Sequence, residues 1–188
     1  NPGRLRELLL PGSRLTLTIE PPGSERKTVY TVVAVERRGV PVLLHTHYTN
    51  TAARWLIEQG LIPGLEGYRL SKSEVTVGNS RFDFLLEKGR KHLLLEVKSC
   101  TLFGRKIAMF PDAVTARGLK HLVEMEKLLK AGDRCVMFYL IQRMDADSFG
   151  PADGIHPDYG RELRRIRERG LEILVYDVLI DLAQIRLN

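Results

Sequence analysis

SRFDFLLEKGRKHLLLEVK, residues 80–98, decides the reading of this chain. Two apolar runs of strand length flank the polar loop Lys88-Gly89-Arg90-Lys91, and the pattern fits two buried strands joined by a hairpin turn. Three side chains inside the runs do not belong in a core: Asp83, Glu96 and Lys98. Burying such charges is costly unless they pair or hold a metal. If Glu87 and His92 close the four-residue loop, the register sets Asp83 opposite Glu96. Directly opposed residues on one face have Cβ atoms about 4.5–5.5 Å apart. Alternation puts Lys98 on the face of Glu96. Two carboxylates this close repel unless a cation lies between them. An all-oxygen set suits Mg²⁺ or Mn²⁺. The residue types alone leave a second reading open, a salt-bridge cluster of Asp83 and Glu96 with Lys98 or Arg81.

The bulk numbers set the frame. At 188 residues, 44% apolar and 28% charged, the chain is long enough for one globular domain with a small appendage. No run has the length of a membrane helix and no signal peptide is visible. Cys100 and Cys135 are far apart and have no metal-ligand spacing, so a reduced, cytoplasmic setting is the simplest expectation. The net charge of +6 is compatible with a polyanionic partner and equally with plain solubility. No glycine-rich phosphate loop, nucleotide fingerprint or Ser/Cys nucleophile motif is present. The opening Asn1-Pro2-Gly3-Arg4 has no Met and reads as the middle of a loop, so earlier residues are expected to be missing.

Residues 1–44 read as all-β, with strands over 15–19, 28–35 and 40–44 separated by Pro/Gly-rich or Arg-Arg-Gly turns. Three strands cannot close a barrel by themselves. Thr49 or Asn50 is a candidate cap for a helix that runs to Gln59 and stops at Gly60. Strands are expected around 68–70 and 74–77, ahead of the hairpin. After Lys98 comes an apolar stretch broken by Gly104-Arg105-Lys106. Thr115 caps a helix ended by Gly132, and residues 135–141 are apolar throughout, as in a strand buried on both faces. Pro157 opens a last helix, Gly170 closes it, and residues 171–180 form a final strand. The whole is an α/β domain with a mixed sheet.

Asp83 followed one strand later by Glu96-Val97-Lys98, in an α-β-β-β-α-β order, resembles the PD-(D/E)XK nuclease superfamily. The closer resemblance is to the sugar fermentation stimulation protein A family. It rests on Asn1-Pro2-Gly3-Arg4-Leu5, Ser80-Arg81-Phe82-Asp83-Phe84-Leu85, Glu96-Val97-Lys98-Ser99-Cys100-Thr101-Leu102 and the thirteen-residue block from Phe110 to Leu122. Gln142-Arg143-Met144-Asp145 fits it too. The chain departs from the family's usual Asn-Thr-Gly-Arg-Met opening at Pro2 and Leu5, and has Leu44-His45-Thr46 where Val-Asn-Thr is usual.

The resemblance implies an incomplete OB-like β-barrel over residues 1–44, followed by a PD-(D/E)XK nuclease-like domain over residues 45–188. It also implies binding of DNA with little sequence preference. Three functions follow from it: a Mg²⁺- or Mn²⁺-dependent nuclease acting on DNA, a non-enzymatic DNA-binding regulator of sugar (maltose) metabolism, or a nuclease acting on RNA or a modified nucleic acid. Oligomeric state is left open, a homodimer included. In the nuclease reading Asp83, Glu96 and the Val97 carbonyl hold the ion, Glu74 and Glu58 are further candidate ligands, and Lys98 orients water or neutralises phosphate charge. Arg4, Arg81, Arg117 and Arg143 are the candidate nucleic-acid contacts. Their competing explanations are capping, packing and solvation. For Gln142 and Arg143 the competing explanation is a buried polar group satisfying backbone. The arginines at 161, 164, 165, 167 and 169 read as a solvated helix face or a phosphate-tracking patch. His45 and His47, expected on one strand face, are weak candidates for a transition metal.

Overall fold

A strand that is apolar along its whole length can satisfy itself only between two covered sheet faces. In the computed structural model, which describes residues 5–25, 27–181 and 184–187, that strand is β9 (Arg134–Ile141). Seven of its eight residues are buried. It lies third in a six-stranded mixed sheet of order β12-β11-β9-β6-β5-β4. The other members are β4 (Arg69–Val77), β5 (Ser80–Lys88), β6 (Lys91–Cys100), β11 (Glu172–Asp181) and β12 (Gln184–Leu187). β9 runs parallel to both β6 and β11, whereas β4, β5 and β6 form an antiparallel meander.

Helix α1 (Thr46–Glu58) covers one face. There Ala53, Leu56 and Ile57 pack on Phe84, Leu86, Leu93, Leu95, Val136, Phe138 and Leu140. Helices α2 (Ala116–Lys130) and α3 (Pro157–Arg167) cover the other, over Phe82, Leu94, Met137 and Tyr139. The order α1, β4-β5-β6, α2, β9 is that of the expected nuclease-like frame. Ahead of it β1 (Leu15–Ile19), β2 (Tyr30–Arg37) and β3 (Val40–Leu43) form an antiparallel sheet with its own small core of Leu5, Leu8, Val35, Val42 and Leu44. The Leu43 N–H donates to the Gln142 carbonyl at 3.0 Å, which ties this sheet to the end of β9.

Helix punctuation follows local chemistry. Thr115 Oγ1 accepts from Gly118 N–H at 2.9 Å and caps α2. Pro157 occupies the first turn of α3, where its missing N–H costs nothing. Gly60, Gly132 and Gly170 end the three helices at positive φ, a conformation glycine adopts without a Cβ clash.

Several expectations change. Helix α1 starts at Thr46, one turn earlier than expected, with His45 at its N-cap and no side-chain cap; Thr49 lies inside it, buried. His45 and His47 therefore belong to a helix start and not to a strand, although their rings stay 5.5 Å apart. The strands expected around 68–70 and 74–77 are one irregular strand, β4, whose register shifts between Leu70 and Lys72. The hairpin turn is two residues shorter than expected, because Lys88 and Lys91 themselves pair. A small third sheet was not expected: β7 (Leu102–Gly104) and β8 (Ile107–Phe110) form a hairpin, and β10 (Ser148–Pro151) joins β8 in parallel.

Candidate metal and phosphodiester site

The site arises where the central hairpin comes apart. The ladder between β5 and β6 keeps the expected Glu87–His92 pair and runs as far as Phe84–Leu95. One step further, Asp83 and Glu96 would have been the next pair. Instead β5 changes face: Phe82 packs on the α2/α3 side and Phe84 on the α1 side, although a regular pleat would put them on one face. The partner strand is distorted at the same level. The pairs Ser73–Phe84 and Val75–Phe82 put Glu74 across from Asp83, and Glu74 has φ +54. That is the left-handed region, costly for a residue with a Cβ.

The kink turns the Asp83 carboxylate into the gap between β5 and β6. The Val97 N–H donates to Asp83 Oδ2 at 2.7 Å, and Asn50 Nδ2, from α1, donates to Oδ1 at 2.8 Å. Glu96 lies on the α2 side, 2% exposed. Lys98 Nζ and His121 Nδ1 both meet its Oε1, His121 at 2.5 Å. Its other oxygen, Oε2, is buried and has no hydrogen-bond partner among the described residues.

The two acids are pushed in opposite directions. Burial, then the neighbouring Glu96 charge, raises the Asp83 carboxyl above the usual range; Val97 N–H, Lys98 and Asn50 only partly offset this. Burial would raise Glu96 too, but the Lys98 ammonium and the His121 hydrogen bond and charge outweigh it and hold Glu96 below the usual range. With Glu96 ionised, His121 Nδ1 must carry the proton it shares with Oε1.

A buried carboxylate oxygen left unpaired costs on the order of 1–3 kcal/mol or more. That orphan, beside a second carboxylate and the Val97 backbone, fits a hard divalent cation that keeps several waters. Among the described residues no group of three or more His, Cys, Asp or Glu gathers into a metal cage. Glu74 is not brought in: its carboxylate is 69% exposed and faces Arg81 Nη2 at 3.7 Å. Glu58 is not brought in either, being paired with Arg54 at 2.9 Å along α1. Exchange of Glu74 for glycine is therefore expected to leave divalent-ion affinity within about twofold of the parent. Stability should stay level or rise by up to about 1 kcal/mol, since glycine tolerates the positive φ. Metal titration and thermal melts of Glu74→Gly check both; a lost ion would restore Glu74 as a ligand.

A cleft of about 330 Å³ opens at Val97 and Lys98, the neighbours of the pair, and is lined further by Thr101, Pro111, Asp112 and Thr115, with neither carboxylate on its wall. The N-terminus of α2 borders it through Thr115, and Arg117 is exposed in the first turn of that helix. A helix N-terminus with a nearby lysine and arginine favours a phosphate. A larger cleft, about 530 Å³, lies between the end of α1 and edge strand β4, with the Arg54–Glu58 pair on its wall. It contains none of Asp83, Glu96 and Lys98, whereas Lys98, which meets Glu96, lines the smaller cleft.

The remaining candidates divide. Arg81 is exposed beside Glu74. Arg143 is held in place by the fold: it is 5% exposed, Asp145 holds its Nε at 2.5 Å and its Nη2 at 2.7 Å, and it lies over the Phe103 ring at 3.7 Å, which leaves only Nη1 uncommitted among the described residues. Gln142 is fully buried; its Nε2 donates to Thr49 Oγ1 and the Leu140 carbonyl, while its Oε1 has no hydrogen-bond partner among the described residues. Arg4 lies outside the described residues. On α3 and just beyond it, Arg161 pairs with Asp158, Arg164 with Asp153, and Arg165 and Arg169 with Glu126 of α2, so most of that charge is locally neutralised. The sequence placed His121 and Asn50 on helices but gave neither a role at Glu96 or Asp83. The His-Glu distance spans 25 residues, and no local spacing signals it.

Comparison with known proteins bears on these residues as a set. Residues 1–44 match the family model described as the SfsA N-terminal OB domain, and residues 47–184 match the Sugar fermentation stimulation protein RE domain. The sugar fermentation stimulation protein homolog of Methanothermobacter thermautotrophicus is 36% identical over 184 residues, 98% of this chain and 76% of that protein. The homolog of Pelobacter propionicus is 41% identical over 190 residues, 100% of this chain and 82% of that protein. The solved structure of Pyrococcus furiosus SfsA in complex with Ca²⁺ superposes with a TM-score of 0.92 at 31% identity, covering 100% of this chain and 80% of that one.

Proposed function

The chain belongs to the sugar fermentation stimulation protein family, and we propose that it is a DNA-binding protein whose nuclease-like domain hydrolyses phosphodiesters with Mg²⁺ or Mn²⁺. The observation that carries the reading is Glu96 Oε2, buried and without a hydrogen-bond partner among the described residues, beside Asp83 and Lys98. The Pyrococcus furiosus relative was solved in complex with Ca²⁺, which supports the binding of a divalent ion. The division into an OB-like unit over residues 1–44 and a nuclease-like unit over residues 45–188 is part of the same reading, as is the cytoplasmic setting. Among the described residues no helix is long and apolar enough to cross a membrane.

In this reading Asp83, Glu96 and the Val97 carbonyl hold the ion, which when bound polarises phosphate and acidifies water. His121 and Lys98 fix the Glu96 carboxylate through Oε1, leaving Oε2 for the ion. Asn50 and the Val97 N–H fix Asp83. Lys98, only 13% exposed at its side chain, is the cation at the cleft wall that meets the scissile phosphate and stabilises charge as it develops. The α2 N-terminus and Arg117 orient a neighbouring phosphate.

The test is cleavage of plasmid and single-stranded DNA with Mg²⁺ or Mn²⁺. Lys98→Ala is expected to lose about 10²-fold or more in rate at saturating ion while DNA affinity persists. Metal-independent binding with no cleavage on DNA, RNA or modified strands would remove the enzymatic reading. One observation favours the non-enzymatic regulator in that event: both Asp83 oxygens already accept protein hydrogen bonds, as in a purely structural carboxylate.

A further inference from the structure

Away from the carboxylate pair, a cleft of about 220 Å³ lies between the N-terminal sheet and the β7–β8 hairpin. Arg37, Arg38, Arg105 and Arg143 line it, with Leu8 and Phe103 as apolar wall and Glu7 as the single acid among its lining residues. Arg143 is the fixed part: Asp145 grips it, it covers the Phe103 ring, and its Nη1 makes no hydrogen bond among the described residues. Arg37, Arg38 and Arg105 have neither an ion pair nor a hydrogen-bonding side-chain partner among the described residues. This sets them apart from Arg161, Arg164 and Arg165 of α3 and Arg169 just beyond it, each of which has found an acid. Arg38 and Arg105 also stand at φ +53 and +51 in the two turns that face the cleft, a costly backbone for arginine. Four arginines against Glu7 and the Asp145 that holds Arg143 leave an excess of positive charge, which lowers stability and favours an anion.

We propose that this arginine cleft is a phosphate subsite that grips the backbone of the DNA strand whose scissile phosphate lies at Lys98; the proposal rests on the reading given under the proposed function. Guanidinium groups match phosphate oxygens through paired N–H donors, and a fixed Arg143 flanked by adaptable arginines suits a repeating polyanion. The reach is right. Lys98 and Phe103 are five residues apart, so at most ~18 Å of chain separates the two clefts. At 3.4 Å per phosphate along a duplex strand, that is about five base pairs. The subsite would hold a substrate strand in register without reading its bases.

The experiment is fluorescence anisotropy of a labelled 20-base-pair duplex over a series of salt concentrations, on the full chain and on the Arg38→Asn/Arg105→Asn double variant. Asparagine tolerates the positive φ at both positions, so the fold is kept; circular dichroism and thermal melts verify it. The double variant is expected to bind more weakly, with the slope of log K against log salt reduced by about 1.8, the share of two phosphate contacts. Its Mn²⁺ affinity should not change. An Arg161→Asn/Arg167→Asn variant matches the change in net charge and is expected to alter the slope by less than half as much. Competition with millimolar inorganic phosphate separates a free-anion site from a strand-binding one. Complete displacement of the duplex by phosphate at constant ionic strength would assign the cleft to small anions and overturn the proposal. An unchanged slope in the double variant, or an equal drop in the charge-matched control, would also overturn it while leaving the metal-site reading standing. A parent chain that holds Mn²⁺ but binds no duplex would overturn the cleft and DNA readings together.

Discussion

Replacing Glu96 with glutamine is expected to remove divalent-ion binding and, with it, cleavage. The amide keeps the size and can still accept at one oxygen, so the β6 backbone need not move. It cancels the charge that Lys98 and His121 converge on, and it converts the unpartnered Oε2 position into a neutral group. Loss of a direct carboxylate ligand should cost more than the roughly 10–100-fold in affinity that follows loss of an outer hydrogen-bond partner. Lys98 and His121 are then left buried against a neutral side chain. Removing one partner of a buried pair can cost about 3–5 kcal/mol, though the retained hydrogen-bonding atoms should keep the loss below that. The readout is therefore twofold, calorimetric titration with Mn²⁺ and a thermal melt. If Glu96→Gln melts within a few degrees of the parent and binds Mn²⁺ equally well, the carboxylate pair is a salt-bridge cluster and not a metal site.

The second large effect concerns the frame that holds the site. Phe138 is fully buried at the centre of β9, between Val136 and Leu140 on the α1 side and edge-on to Tyr176 at a centroid distance of 5.9 Å. Val97, whose N–H holds Asp83, pairs with Phe138 across the β6–β9 ladder. Phe138→Ala should cost about 3–5 kcal/mol, a fall in melting temperature of roughly 6–20 °C for a chain of this size. Val114, 70% exposed, is the comparison: its alanine variant should stay within about 0.5 kcal/mol. A Phe138→Ala chain that loses less than about 1 kcal/mol would mean that the two-faced core around β9 does not carry the domain.

What the sequence disclosed and what it hid have physical explanations. The hairpin register was legible because Glu87 and His92 bound an unambiguous polar turn, and the pattern on each side is strongly apolar. The α2 start was legible because Thr115 caps in the ordinary way, and the β9 strand because both its faces are covered. The face change at Asp83 was not. Phe82 and Phe84 are both apolar because both faces of the sheet are packed, so nothing in the pattern marks the switch between them. The same kink leaves Asp83 bound to the Val97 N–H and not simply opposed to Glu96. Glu74 looked like a ligand because it is an acid near the hairpin, but its left-handed backbone turns that stretch of β4 into a distorted, exposed edge. Arg143 and Gln142 sit at a strand end where sites often form. The fold decides their setting through distant partners, Phe103 for Arg143 and Thr49 for Gln142, with the near neighbour Asp145 gripping Arg143 as well. The parallel pairing of β8 with β10 joins segments some forty residues apart and leaves no local signature.

The central claim is that Asp83 and Glu96 share a divalent ion, and anomalous diffraction from crystals soaked in Mn²⁺ tests it most directly. The account predicts one strong anomalous peak about 2.0–2.3 Å from an Asp83 oxygen and from Glu96 Oε2, absent in Asp83→Asn crystals soaked alike. Crystals at saturating Mn²⁺ with no peak between these two carboxylates, or with the same peak in the variant, would contradict it.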